Sequence, residues 1–71
     1  MMPLTMAKAG ETKFIQRVGG KEETKRFLEK LGFVPGSGVT LISANEGNVI
    51  VSVKEARIAI SKEMANKIMI H

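Results

Sequence analysis

The chain has no cysteine, no tryptophan, no tyrosine and no aspartate, and one histidine among its 71 residues. Without cysteine there is no disulfide staple and no thiolate metal site. The single histidine is His71, the last residue. A general base has to be held in place, and a terminal imidazole is not. Ser37, Ser43, Ser52 and Ser61 therefore have no ordered histidine to activate them, so a nucleophilic triad is excluded and no enzyme is expected. The acidic residues are seven scattered glutamates, with no His-x-x-Glu or Glu-x-x-His pair. Glu22 and Glu23 are neighbours and diverge by about 100° around a helix. A facial set of imidazole and carboxylate ligands is thus missing, and no metal or other cofactor is expected. No G-x-x-x-x-G-K-[ST] pattern occurs, which leaves Gly19-Gly20 as a turn and not a phosphate cradle. The lack of Trp and Tyr excludes the aromatic groove that reads proline-rich peptides. No apolar run approaches the roughly 20 residues that span a bilayer. The opening Met1-Met2-Pro3-Leu4-Thr5-Met6 has neither a basic n-region nor a long h-region. A cytoplasmic location without membrane insertion is the expectation.

What is present is a single small domain, residues 1–71, with 44% hydrophobic residues. Ordering costs of about 1.5 kcal/mol per residue nearly cancel the burial available at this size. Oligomerisation, or docking on a partner, would add burial. The most informative stretch runs from Leu28 to Gly36. Phe27, Leu28 and Leu31 share a helical face. Gly32 can take the left-handed conformation that closes a helix. Phe33 then folds back onto Leu28, the contact a Schellman closure calls for. Val34-Pro35-Gly36-Ser37 follows with the residues of a type II turn.

The helix is expected over residues 21–31, with Glu22 and Glu23 at its positive end and a Glu22–Arg26 pair at i, i+4 spacing. Lys25 and Lys30 complete its wet face. A strand is expected over 11–18, with Thr12, Phe14, Gln16 and Val18 on one face and Lys13, Ile15 and Arg17 on the other. Further strands are expected over 39–43, 49–53, 57–60 and 68–70, and Pro3 to Ala7 as an extended entry segment. Val49, Val51 and Val53 share a face, and Ile58 and Ile60 point inward. Asn45-Glu46-Gly47-Asn48 is a turn cluster. Ser61 is a helix cap, and residues 62–66 are a helical turn. The count is about five short strands, one inserted helix and one helical turn. Such a meander hides its edges most cheaply by curling. The expected fold is mainly β with a small α component, an SH3-like partly open barrel. Ile15, Ile42 and Ile50 fall opposite the main apolar rows, which calls for a cover on the outer surface.

The net charge of +4 raises nucleic acid as a partner class. Basic and acidic residues are interleaved along the whole chain, which is the pattern of an ordinary soluble surface. Lys13, Arg17 and Arg57 are the candidates for a basic stripe. Single-strand binding stacks bases on aromatic rings, and Phe14, Phe27 and Phe33 are all expected in the core. A nucleic-acid-binding small barrel of SH3-like or OB-like type is therefore the alternative and not the leading reading.

The opening Met-Pro-Leu-Thr, the Ala9-Gly10-Glu11 turn, Gly19-Gly20, Leu31-Gly32-Phe33-Val34-Pro35-Gly36, and Val51-Ser52-Val53 followed by Arg57-Ile58-Ala59-Ile60-Ser61 resemble the ferrous iron transport protein A (FeoA) family. The resemblance covers nearly the whole chain. Its motif residues, Leu28, Leu31, Gly32, Phe33, Pro35 and Gly36, look structural. It implies an SH3-like barrel with an inserted helix, and an accessory role beside the membrane GTPase that imports ferrous iron. At the level of the family it also implies a connection with transition metal ions. The inserted helix and the loop after it are what a plain barrel lacks. Lys21, Lys25, Arg26, Lys30, Val34 and Pro35 are accordingly the candidate contact residues for that permease.

Overall fold

The computed structural model describes residues 1–71. Its elements are β1 (Met2–Pro3), a 3-10 turn (Leu4–Met6), β2 (Thr12–Val18), α1 (Glu22–Leu31), β3 (Gly38–Ala44), β4 (Asn48–Val53), β5 (Ala56–Ser61), α2 (Lys62–Ala65) and β6 (Ile68–Ile70). Six strands form one antiparallel sheet in the order β1-β6-β2-β3-β4-β5. The expected count of five is short by one. Met2 and Pro3 pair with Ile70 and Met69 and extend the sheet beyond β6. The rest of the entry segment is the 3-10 turn, which buries Leu4 completely.

The sheet curls around one core. Ile15 and Val18 of β2, Val39 and Leu41 of β3, Val49, Val51 and Val53 of β4, Ile60 of β5, and Ile68 and Ile70 of β6 are all buried in the same cluster as Leu4, Leu28 and Phe33. Alternation explains β4, where the three valines point inward as expected. Alternation fails in β2 and β3, for one shared reason. The pairing register shifts between Ile15 and Arg17 in β2, and between Leu41 and Ser43 in β3. Each bulge carries one extra residue and re-phases the strand beyond it. Ile15 and Val18 thereby both reach the core, and Ile15 needs no outer cover. Ile42 sits at the second bulge and is half-buried, as is Ile50. Phe14 is turned out to solvent at 56% exposure, a correction to its expected core role. Its ring lies over Gly38, the residue paired with it on β3, where an added Cβ would meet Phe14 Cε1 at 3.7 Å. The ring covers backbone that glycine leaves bare.

The helix ends as its sequence dictates. Gly32 has φ 108°, in the left-handed range. The Gly32 N–H donates to the Glu29 carbonyl and the Phe33 N–H to the Leu28 carbonyl, both at 3.0 Å. These are the two bonds of a Schellman motif. Leu28 and Phe33 are both fully buried. The next turn is also as expected: Gly36 has φ 89°, and the Ser37 N–H donates to the Val34 carbonyl at 3.0 Å. That turn is bonded to β2 twice, from the Gly36 N–H to the Ile15 carbonyl and from the Ile15 N–H to the Ser37 carbonyl. At the other end of the chain, Ser61 Oγ accepts from the Met64 N–H at 3.2 Å and caps α2.

A side chain at position 32 faces two penalties. Its backbone angle is one that β-branched residues avoid, and its Cβ would sit 2.7 Å from Lys54 Cγ. Gly32→Val should cost about 1–3 kcal/mol. Phe33→Ala should cost about 3–5 kcal/mol, because a completely buried ring leaves a cavity. Urea or thermal melts measure both. A Gly32→Val protein that melts like the parent would contradict the role given to the closure.

Candidate functional site

The structure spreads the six candidate contact residues over two sides of α1 and its loop. Lys21 occupies the cap position and has no side-chain capping bond. Arg26 and Lys30 are one helical turn apart and both exposed, so they share the outer face. Lys25 lies about 100° away from Arg26 and is half-buried, a correction to its place on the wet face. Val34 is half-buried and Pro35 exposed, at the corner of the type II turn. The Glu22–Arg26 pair forms, with Nε to Oε1 at 3.9 Å. With both side chains about 70% exposed, it contributes little to stability.

Two features of this surface are not visible in the sequence pattern. Phe27 is 47% exposed, although its spacing from Leu28 and Leu31 suggests burial. Only Leu28 on α1 is fully buried, because one helix resting on a curled sheet covers a narrower stripe than three neighbouring apolar residues occupy. The second feature is the β4–β5 hairpin. Val53 pairs with Ala56, leaving Lys54 and Glu55 as a two-residue loop with φ 50° and 64°. Two positive φ values define a type I′ turn, a place usually taken by Asn-Gly. The strands expected over 49–53 and 57–60 leave a three-residue connection, and the pairing of Ala56 with Val53 shortens it to two. The Lys54 stem packs against Gly32, so this turn, the end of α1 and the Val34–Pro35 corner form one continuous surface.

The basic stripe does not form. Lys13 lies on the Ile15 side of β2 and is 3.7 Å from Glu11. Arg17 follows the bulge and is turned to the opposite side. Arg57 is on β5, separated from β2 by β3 and β4. The aromatic half of the case against nucleic acid changes, since Phe14 and Phe27 are exposed and only Phe33 is buried. They sit on different elements, however, and Phe14 is already spent on Gly38. No three His, Cys, Asp or Glu side chains are grouped to hold a metal ion. No buried side-chain polar atom lacks a partner.

These features define a class: a small curled β-barrel with an inserted helix, whose chemistry is confined to its outer surface. The chain belongs to the FeoA domain family, whose model matches residues 2–71. It is 34% identical over 70 residues to a Methanocaldococcus jannaschii protein bearing the name Fe(2+) transport protein A, covering 99% of this chain and 85% of that one. A crystal structure of the iron uptake regulatory protein FeoA superposes with a TM-score of 0.89 at 24% identity, covering 97% of this chain and 93% of that one. The FeoA of Stenotrophomonas maltophilia complexed with zinc, described as a prokaryotic SH3 domain protein, gives a TM-score of 0.87 at 21% identity, with 100% and 91% covered. The SH3-like fold expected from the strand pattern is therefore the fold observed.

The I′ turn generates a prediction. Replacing Lys54-Glu55 by Asn-Gly should raise stability by roughly 0.5–1 kcal/mol, because both positive φ values then become easy to adopt. Urea denaturation of the double variant checks this. A loss of stability would show that Lys54 packing on Gly32 outweighs the backbone strain.

Proposed function

We propose that this chain is a cytoplasmic accessory protein of ferrous iron uptake. In this reading it docks on the cytoplasmic part of the iron-transporting membrane GTPase and adjusts its state without catalysing a step. Membership of the FeoA domain family along residues 2–71 carries the proposal. The relative named for Fe(2+) transport supports the pathway. No helix is long and apolar enough to cross a membrane. Ferrous iron is the transporter's cargo in this scheme, and the accessory chain meets the protein and not the ion.

The docking surface is the continuous one built by α1, the Val34–Pro35 corner and the Lys54–Glu55 turn. Phe27 supplies an apolar anchor there. Arg26 and Lys30 supply charge at its rim, where exposed groups steer association more than they hold the complex. Lys21 and Lys25 flank the other side of the helix.

Two measurements test the proposal. Arg26→Glu with Lys30→Glu should cost no more than about 1–2 kcal/mol, from like charges on Glu22 and position 26 and an anion in the last turn of α1. The same pair should slow association with the transporter's cytoplasmic domain about tenfold and change dissociation little. Binding kinetics on an immobilised domain read both rates, and a variant that melts and binds like the parent would move the docking surface elsewhere. The second measurement concerns nucleic acid. Any affinity for RNA or DNA at low salt should fall steeply by about 0.15 M salt, as counterion release requires. Sequence-selective binding that survives there would favour the nucleic-acid reading instead.

A further inference from the structure

The sheet has two ends, and they are not alike. At one end β1 is two residues long and contains Pro3, so it offers a blunt edge. At the other end β5 runs six residues, Ala56–Ser61, in unbroken register with β4 and without proline or bulge. Natural sheets usually cover, shorten or interrupt such an edge.

The hairpin fixes which backbone groups face outward. In a two-residue hairpin the pair next to the loop, Val53 and Ala56, exchanges both hydrogen bonds. Bonded and non-bonded pairs then alternate. Val51–Ile58 and Val49–Ile60 are bonded pairs, whereas Ser52–Arg57, Ile50–Ala59 and Asn48–Ser61 are not. The N–H and C=O of Arg57 and Ala59, and the N–H of Ser61, therefore point away from β4 toward the open edge. None of them is used by any of the hydrogen bonds made outside the regular elements. The side chains of Arg57 and Ala59 are exposed, and that of Ile58 is half-buried.

We propose that β5 is a self-pairing edge, and that two copies of this chain join through antiparallel β5–β5 contact about a two-fold axis at Ala59. The residues select this register. Centred on Ala59, the bonded pairs are Ala59 with its own copy and Arg57 with Ser61 of the other copy, taken both ways. Within the β5 strands no like charges oppose one another, and the small Ala59 side chains meet at the axis. Ile58 lies beside Ile60 of the other copy, which covers the part of Ile58 left open in one copy. Centring on Arg57 would set two guanidinium groups face to face. Centring on Ile58 would leave Ser61 opposite the Lys54–Glu55 turn and lose a bonded pair. A symmetric pairing of identical surfaces closes at two copies, so the edge is consumed and no filament grows. One strand pair buries less than a standard interface, so the dimer is a weak one.

This inference is independent of the docking proposal. Sedimentation equilibrium from about 10 µM to about 1 mM, the range where interfaces this small dissociate, should show a reversible monomer–dimer equilibrium. Ala59→Lys places two ammonium groups at the axis and should weaken dimerisation at least tenfold while leaving the melt at low concentration unchanged. Ala59→Pro removes an outward N–H that the β4 ladder does not use, and should do the same. If the proline variant fails to fold, the lysine variant decides. Amide exchange at Arg57 and Ala59 should slow as concentration rises. A parent that stays monomeric throughout overturns the proposal. So does a folded Ala59→Lys variant that dimerises like the parent, or amides that slow only when the transporter's cytoplasmic domain is added.

Discussion

The closure of α1 at Gly32 is the constraint on which the rest of the structure depends. One left-handed residue reverses the chain, and the next residue, Phe33, enters the core with no exposed surface. The two Schellman bonds fix the angle between helix and loop. The type II turn that follows is bonded to Ile15 on both sides, so the ten residues from Leu28 to Ser37 that end the helix also place the start of β3 against β2. Lys54 packs over the glycine from the β4–β5 turn, with its Cγ 2.7 Å from where a Cβ would sit. A helix, a strand pair and a hairpin turn are thus positioned by one backbone conformation. A domain with 15 buried residues and no disulfide has few alternatives for doing this.

Whatever rests on local chemistry was legible in the sequence. The Gly32 closure, the Pro35-Gly36 turn, the Ser61 cap and the inward valines of β4 each follow from a few adjacent residues. So does the Asn45 turn, where Asn45 Oδ1 accepts from the N–H groups of Gly47 and Asn48. What was not legible depends on partners distant in sequence. A bulge is a property of two strands, and period-two reading of one strand cannot reveal it. That single cause put Phe14 inside and Ile15 outside in the sequence reading, the reverse of the structure. β1 was missed because two residues carry no period, and only Ile70 and Met69 make them a strand.

The candidate surface was legible to about the same depth. The choice of α1 and its loop followed from an insertion that a barrel does not need. The grouping within that surface did not follow, because charges on a helix are spread by angle and not by order. Arg26 and Lys30 share a face, while Lys25 turns its stem toward the body of the domain. The Lys54–Glu55 turn joins the surface through packing on Gly32, a contact between residues 22 positions apart. A type I′ hairpin requires positive φ at both loop residues, which costs Lys54 and Glu55 free energy that Asn-Gly would not spend. Its position beside the exposed Phe27 helix gives that strain a place in the docking proposal.

A barrel of this size fills its interior with its own side chains. The core is entirely apolar, and no buried polar or charged residue is available for chemistry inside it. All recognition must then occur on the outside, where a small protein has two kinds of feature to offer. Side chains raised above the sheet, as on α1, give a surface whose specificity lies in charge and shape. An open backbone edge, as on β5, gives affinity through main-chain bonds and takes its specificity from register. The first suits a different protein as partner, because Arg26, Lys30 and Phe27 are not self-complementary. The second suits a second copy, because alanine meets alanine and arginine meets serine. The sequence separates the two tasks along the chain. The inserted helix lies between β2 and β3, at the middle of the sheet order, and the free edge lies at its β5 end. A substitution on α1 can accordingly be read without disturbing the hydrogen bonds of the β5 edge, whereas the Lys54–Glu55 turn leads directly into β5 and belongs to both features.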